Sequence, residues 1–445
     1  MHGQHAIKYR PEIDGLRAIA ILSVLLFHFF PTVVPGGFVG VDVFFVISGY
    51  LISSIIFNQH AAGEFSFLNF YARRVRRIFP ALIIVLATVF AVGQLMFLLQ
   101  ENKELTKHVI RSTLFVLNFT LSKDIGYFET SADAKPLLHL WSLAVEEQFY
   151  IVFPLVFVIY AARFRNFGLL VTVGLIASLG ACLLLTPLAP NAAFYLPFTR
   201  FWEIFAGVFI ARFKLDQRDH SPAWANVMAL AGMTLILISI IALDLQSSFP
   251  GYWALLPTLG SSLIIVAGGH AWLARHILSR PVFVFVGVIS YPLYLWHWPL
   301  LSIATITEGK ELSVELRAMI AFASFGLAWA TYRLVEKPLR QPGNLMRKFA
   351  GLGAMMAAIL IAALLAQKTD GVLIRTTAND AAAPPQYNWK AGYRQDHCFV
   401  DALDPNSGAK SFVEECSGLE GSTGLSPHVI LWGDSHAAAL YPGMR

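Results

Sequence analysis

Residues 12–30 read EIDGLRAIAILSVLLFHFF, and this stretch decides the fold class. Its long apolar run is typical of a helix that crosses a membrane. Arg17 at one end and His28 deep inside are ionisable, and such groups are costly in lipid and rare there without a function. The stretch therefore predicts a membrane protein with a polar site inside it.

The composition extends this prediction to the whole chain. Of the 445 residues, 56% are hydrophobic and only 14% are charged, whereas soluble domains average about 25% charged residues. Mean hydropathy is positive, at +0.60. The net charge of +5 is small for this length and gives no indication of a nucleic-acid partner. We expect an all-α polytopic bundle embedded in a lipid bilayer.

Apolar windows of about 20 residues, the length that crosses a bilayer core, recur eleven times. A further apolar segment at 109–121 is ambiguous. The predicted spans are 14–31, 40–57, 78–98, 143–162, 167–186, 199–213, 225–243, 253–270, 282–304, 315–335 and 349–366.

The distribution of basic residues predicts the orientation of the spans. The loops 32–39, 187–198 and 244–252 contain no Lys or Arg, whereas the alternating segments are rich in them. Because Lys and Arg accumulate on the cytoplasmic side, we expect a cytoplasmic N-terminus. The pattern survives only if 109–121 does not cross. The segment 99–142 is then predicted to be a long external loop with an interfacial or re-entrant helix.

The chain becomes polar after residue 366, where Pro and Gly mark a linker. We divide it into a ten-span domain at 9–340, a linking span at 349–366, an external linker at 367–427 and the start of another domain at 428–445. Cys398 and Cys416 lie in this tail, where an oxidising compartment would allow a disulfide. Cys182 lies in an apolar span and is interpreted as a packing residue.

Arg17 and His28 are eleven residues apart, which is three helical turns plus about 20°, so they share one helix face. The rise per residue separates them by roughly 16 Å. Arg17 would lie at the cytoplasmic mouth and His28 near the middle of the membrane, along a substrate path. The simpler interpretation, an interfacial anchor and a hydrogen-bonded core histidine, stays open.

Other predicted spans also carry ionisable residues. Together they predict one polar cavity inside the bundle, although each acid near a span end could also be a solvated anchor. They are Asp42, Glu146, Glu147, Glu203, His297 and Glu336.

The run YARRVRRIFP at 71–80 precedes the third predicted span. Its arginines could simply anchor the chain on the cytoplasmic side. However, Arg74 and Arg77 are three residues apart and share a helix face. Paired guanidinium groups suit phosphate, so the run also predicts a site for an anionic donor such as a coenzyme A thioester.

Seven segments together resemble the acyltransferase-3 family of membrane O-acyltransferases, in family order across residues 9–340. They are YRPEIDGLRAIAILSVLLFH with its Arg-x10-His spacing, GGFVGVDVFFVISGYLIS, RRVRRIFPAL, WSLAVEEQFY, RFWEIFAG, ISYPLYLWHWP and LVEKPLR.

This resemblance implies transfer of an acyl group, commonly acetyl, from cytoplasmic acetyl-CoA across the bacterial inner membrane. The acceptors would be hydroxyls of a surface glycan such as lipopolysaccharide O-antigen, exopolysaccharide or peptidoglycan. It implies donor binding by Arg17, Arg74 and Arg77 and catalytic roles for His28 and Glu336. We expect no metal and no permanently bound cofactor, with acyl-CoA as a substrate.

The tail resembles the first block of an α/β SGNH-hydrolase-like domain, in which Ser435 of the sequence Gly-Asp-Ser-His would be the nucleophile. Such a site also needs oxyanion-hole residues and a later Asp-x-x-His. The ten residues after Ser435 contain none of these, so we expect Ser435 to lack its base here. Whether the chain is a fragment or its tail is inactive stays open.

Two other functions compete with the acyltransferase. A transporter could use the same polar bundle to move a sugar or an ion without covalent chemistry, although no internal repeat of the transporter kind is evident in the sequence. A scaffold that presents an external module is the third possibility, and the ionisable residues inside the spans argue against it.

Overall fold

The chain is described by a computed structural model, in which every regular element of the described part is a helix. The described residues are 9–123, 132–163, 166–308, 312–341, 343–369 and 371. The predicted all-α membrane bundle is confirmed. Almost all of the predicted linker, the predicted SGNH-like start, Ser435, Cys398 and Cys416 lie outside the described residues. Cys182 is fully buried.

The helices vary widely in length, from single turns to 30 residues. In chain order they are α1 Pro11–Phe29, α2 Gly40–Ala61, α3 Phe67–Met96, α4 Leu99–Thr113, α5 Leu117–Leu121, α6 Leu140–Arg163, α7 Phe167–Leu188, α8 Pro190–Tyr195, α9 Pro197–Arg212, α10 Pro222–Ala242, α11 Leu255–Ala267, α12 Pro281–Val288, α13 Ser290–Glu308, α14 Val314–Thr331, α15 Lys337–Arg340 and α16 Leu345–Lys368.

Eight helices of the described part are long and apolar enough to cross a membrane, and α12 with α13 makes a ninth span if the bent pair counts as one. The two remaining predicted spans also lie on helices. One is α1, whose first turns carry Glu12, Asp14 and Arg17. The other is the shorter apolar helix Leu255–His270. The chain is therefore a multi-pass membrane protein.

The third predicted span begins too late. It was expected at 78–98, but α3 begins at Phe67, where the Ser66 hydroxyl accepts a hydrogen bond from the Asn69 N–H. Its 30 residues span about 45 Å, well beyond a bilayer core of about 30 Å. Hydropathy detects only the apolar part of such a helix. The arginine run is consequently part of the helix and is held rigidly above its apolar section.

The predicted span at 282–304 corresponds to a bent pair of helices, because the chain bends by 64° between α12 and α13. Helix α12 packs closely on α1, where a Cβ added at Gly287 would lie 1.9 Å from the Asp14 carbonyl oxygen. The bend lets α12 pack along the N-terminal part of α1 at this close crossing. Helix α13 then contacts the C-terminal part of α1, where His297 meets His28.

The segment 99–121 forms α4 and α5. Neither helix is among those long enough to cross, since the 15 residues of α4 reach only about 22 Å. Helix α4 packs against α3 and α16. This agrees with the expectation that 109–121 does not cross.

Helices α2 and α9 meet through glycine. A Cβ added at Gly49 would lie 1.9 Å from the Ile204 carbonyl oxygen, and one added at Gly207 would lie 2.1 Å from the Val46 carbonyl oxygen. Small residues at such crossings let backbones approach closely, a common way of packing helices in membranes. This contact fixes α9 against α2 and sets the distance between their charged side chains.

Candidate active site

A polar cleft lies between α1, α2, α3, α6 and α13. It encloses about 860 Å³ of space between atoms, part of it open to solvent. Its polar lining residues come from all five helices, so the fold brings together groups that are far apart in the sequence. They are Arg17, Ser48, Arg74, Arg77, Ser142, Glu146, Glu147, Tyr150, Ser290, Tyr291 and Tyr294.

All three arginines predicted to bind a donor line this cleft. Arg17 Nη1 lies 3.2 Å from Asp14 Oδ1, one turn earlier on α1. The guanidinium of Arg74 lies over the ring of Tyr150, 5.4 Å from its centre. Neither Arg74 nor Arg77 forms a hydrogen bond or salt bridge with a described residue. Their N–H groups are therefore available to an anionic ligand.

The acidic residues of the cleft lie on α6. Glu146 Oε1 accepts short hydrogen bonds from the Ser48 and Tyr150 hydroxyls. Glu147 is buried beside it and has one carboxylate oxygen without a partner among the described residues. These two acids place carboxyl groups beside the arginines in the cleft.

Glu336 lies with the arginines, in the wide turn that joins α14 to α15. It is fully buried and pairs with Arg340. The positive charges that act on it are Arg340, Arg77 and Arg17. Its catalytic role stays a prediction. Two of these three arginines, Arg17 and Arg77, line the cleft.

Three histidines form a separate cluster. His28 Nδ1 lies 3.0 Å from His297 Nε2, and the two rings stack with centres 5.1 Å apart. The ring of His139 is 5.7 Å from that of His297, and the Trp298 ring closes the other side of His28 at 4.5 Å. His28 and His297, which the sequence predicts separately as a catalytic residue and as part of a polar cavity, are thus in direct contact. His139 was not predicted as a site residue, although it lies two residues before the segment WSLAVEEQFY.

A pair of hydroxyl groups joins the cleft to the histidine cluster. The Tyr294 hydroxyl donates to the His139 carbonyl oxygen at 2.7 Å. Ser142 Oγ lies 2.7 Å from the Tyr294 oxygen and 3.4 Å from the same carbonyl oxygen, so the two hydroxyls and the carbonyl form one hydrogen-bonded group. Both side chains line the cleft, and no histidine occurs among its described lining residues. The two hydroxyls therefore stand between the arginines and the histidines.

Asp42 and Glu203 do not line the cleft and form a second charged cluster instead. Arg200 Nη2 lies 3.1 Å from Asp42 Oδ1, and Arg200 Nη1 lies 3.2 Å from Glu203 Oε1. All three side chains are at least 99% buried. The guanidinium is surrounded by four aromatic rings at 5.5–5.7 Å, those of Phe45, Trp141, Phe194 and Phe249.

Arg200 was missed, although it begins the segment RFWEIFAG and lies three residues before Glu203. An arginine inside an apolar window is a signal in its own right, since a charge there needs partners. The two acids that the sequence analysis placed in the cavity are these partners. Their position indicates a role in holding α2 against α9.

Comparison with known proteins agrees with this architecture. A family model described as an acyltransferase domain matches residues 10–333. The chain belongs to the acyltransferase-3 family. The matched range holds every described site residue except Glu336 and Arg340, which follow its end.

Curated members of the acyltransferase-3 family are similar to this chain over much of its length. The peptidoglycan O-acetyltransferase OatA of Listeria monocytogenes is 30% identical over 357 residues, which is 76% of this chain and 57% of that protein. The O-acetyltransferase OatA of Staphylococcus aureus strain NCTC 8325 is 29% identical over 352 residues, or 76% and 58%. The chain thus spans less than two thirds of these relatives. No solved structure matches it.

The Arg200 cluster gives a stability prediction. Arg200→Met leaves two carboxylates buried without their cation, so we expect it to lower the free energy of unfolding by about 3–5 kcal/mol. Adding Asp42→Asn and Glu203→Gln removes the orphaned charges and should recover much of this loss. Denaturation in detergent measures both. If Arg200→Met alone is as stable as the unmodified protein, the cluster does not hold α2 and α9 together.

Proposed function

We propose that this chain carries the membrane part of an O-acyltransferase that takes acetyl from acetyl-CoA and delivers it to a hydroxyl of a surface glycan. One observation carries the proposal. A cleft with three arginines, two of them unpaired among the described residues, is also lined by Tyr294, whose hydroxyl donates to the main-chain carbonyl of His139 and whose ring lies 5.4 Å from that of His297. In the proposed reaction, the arginines would supply charge for phosphates and the histidines a base for acyl transfer.

The arginines would bind the donor. Coenzyme A carries phosphates at one end and a thioester at the end of a long arm. Arg17, Arg74 and Arg77 would hold the phosphates through charge-assisted hydrogen bonds. Along α1, Arg17 and His28 are about 16 Å apart, so the arm would have to pass the hydroxyls of Ser142 and Tyr294 to bring the thioester to the histidines.

His28 would act as the base. As the acceptor oxygen attacks the thioester carbonyl carbon, an imidazole nitrogen takes the hydroxyl proton. The carbon–sulfur bond then breaks, and the proton ends on the sulfur of the released coenzyme A. Neutral imidazole suits this step because it can take a proton near neutral pH and return it.

The proposed acceptor is a hydroxyl group of a surface glycan. One relative is named for peptidoglycan, and lipopolysaccharide O-antigen or another exopolysaccharide remain candidates of the same chemistry. We propose that the N-terminus and the arginine cleft face the cytoplasm of a bacterial inner membrane. This follows the distribution of Lys and Arg between the loops. Ser435, if a complete SGNH-like domain followed, would relay the acetyl group to the glycan.

His28→Ala tests the enzymatic proposal against transport. We expect purified protein in detergent to release coenzyme A from acetyl-CoA in the presence of an oligosaccharide acceptor. The variant should lose this activity by at least about a hundredfold, the usual contribution of a positioned base. Its elution from size-exclusion chromatography should be unchanged. If acetyl-CoA stays intact with both proteins, the chain has no acyl-transfer activity and transport becomes the better explanation.

Donor binding gives a second prediction, because α3 supplies its own control. Arg74→Ala with Arg77→Ala should weaken acetyl-CoA binding at least about a hundredfold, since each charge-assisted bond is worth about 1.5–3 kcal/mol. Arg73→Ala with Arg76→Ala removes the same charge from the same helix, but neither residue lines the cleft. Calorimetric titration compares the two pairs.

Equal weakening by both pairs would contradict a specific donor site and favour a general effect of positive charge. Arg74→Lys with Arg77→Lys adds a further distinction. Membrane topology should survive this change because the charge is kept, but binding should still fall because lysine cannot form the bidentate contact.

A further inference from the structure

Main-chain carbonyl groups of α13 determine which ring nitrogens of His297 and His28 donate a hydrogen bond and which accept one. We infer that His297 is a positioning residue that holds His28 in the tautomer with its proton on Nδ1, which leaves Nε2 as the base. The hydrogen-bond order follows from the geometry alone. Its catalytic meaning rests on the proposed function.

The first step concerns His297. Its Nδ1 lies 2.7 Å from the Tyr294 carbonyl oxygen and 3.2 Å from that of Leu293. A carbonyl oxygen can only accept, so Nδ1 of His297 must carry a proton. In a neutral imidazole the other nitrogen is then an acceptor. The preceding turn of α13 therefore makes Nε2 of His297 an acceptor.

The second step concerns which nitrogen of His28 carries the proton. His28 Nδ1 lies 3.0 Å from His297 Nε2. Since Nε2 of His297 accepts, Nδ1 of His28 must donate, and the lone pair of His28 is on Nε2. No described residue forms a hydrogen bond with that nitrogen. It is the basic nitrogen that His28 leaves free, whereas His139, whose ring nitrogens also lack partners among the described residues, is not held in one tautomer.

The contact also suits the charged state of His28. When Nε2 takes a proton from an acceptor hydroxyl, Nδ1 keeps its own proton and still donates to His297. The base can therefore cycle between neutral and charged forms without breaking this hydrogen bond. His297 is fully buried, and its hydrogen bond with His28 Nδ1 together with the contact between His28 and the Trp298 ring restrains the His28 ring from turning. This is the task that an aspartate performs beside the histidine of a Ser-His-Asp triad, here given to a neutral ring.

Nitrogen NMR of protein labelled with ¹⁵N in the histidine rings tests the tautomer directly, since protonated and bare ring nitrogens have distinct shifts. The signals of His28 are those missing from the His28→Gln variant. We expect a protonated Nδ1 and a bare Nε2 in the unmodified protein. A proton on Nε2 would overturn the inference, whatever the activity of the enzyme.

Two variants test the positioning role. His297→Leu removes the acceptor, so His28 should lose its single tautomer and kcat should fall about 5- to 150-fold, the range for one buried hydrogen-bond partner. The KM for acetyl-CoA should change little because His297 is remote from the arginines. His297→Gln places an amide oxygen where Nε2 was, and should restore the tautomer and part of kcat.

Loss of kcat in His297→Leu with the His28 tautomer unchanged would overturn the inference, because His297 would then act only through packing. So would a failure of His297→Gln to restore the tautomer in a folded protein. If the tautomer is as expected but His28→Ala retains full transfer activity, the proposed function fails while the hydrogen-bond order stands. The two claims therefore fail separately.

Discussion

The cost of placing charge inside an apolar bundle is the constraint on which the rest of this structure depends. Lipid cannot solvate an ion, so each buried charge must find a partner within the protein. Arg200 finds two carboxylates at the close crossing of α2 and α9. Glu336 finds Arg340. Arg74 and Arg77 line a cleft without forming any such pair among the described residues. That difference separates charges that hold helices together from charges that are available to a ligand.

The histidine cluster obeys the same constraint in another way. Neutral rings can be buried if their nitrogens are satisfied, and His297 meets this requirement through carbonyl groups of its own helix and through His28. A base can thus be kept deep in the bundle without a buried carboxylate beside it. The hydroxyls of Ser142 and Tyr294 stand between this neutral region and the charged cleft. In the proposed reaction they mark the point at which the thioester leaves the arginines and approaches the base.

Much of the fold could be predicted from the sequence because hydropathy reports directly on what lipid tolerates. Hydropathy did not predict the helix boundaries correctly where a helix contains polar turns, or where an apolar run contains a bend. The N-terminal turns of α3 are polar yet helical, and the bend before Ser290 lies inside a uniformly apolar run. The grouping of Arg17, Arg74 and Arg77 was anticipated from helix periodicity and from the family resemblance.

The separation of Asp42 and Glu203 from the cleft could not be anticipated, because it depends on which helices cross and at which residues. Arg200 begins the segment RFWEIFAG and His139 lies just before WSLAVEEQFY, but only packing shows what they contact. The tautomer of His28 needs individual distances, which no periodicity contains.

The central claim is that the arginine cleft and the histidine cluster are the two ends of one transfer path, reached from opposite faces of the membrane. The most direct test places acetyl-CoA, labelled differently in its acetyl and its coenzyme A parts, outside sealed vesicles that contain the protein and enclose an oligosaccharide. The account predicts that the acetyl label accumulates inside while the coenzyme A label stays outside. Entry of both labels together, or release of both on the outer side, would contradict it.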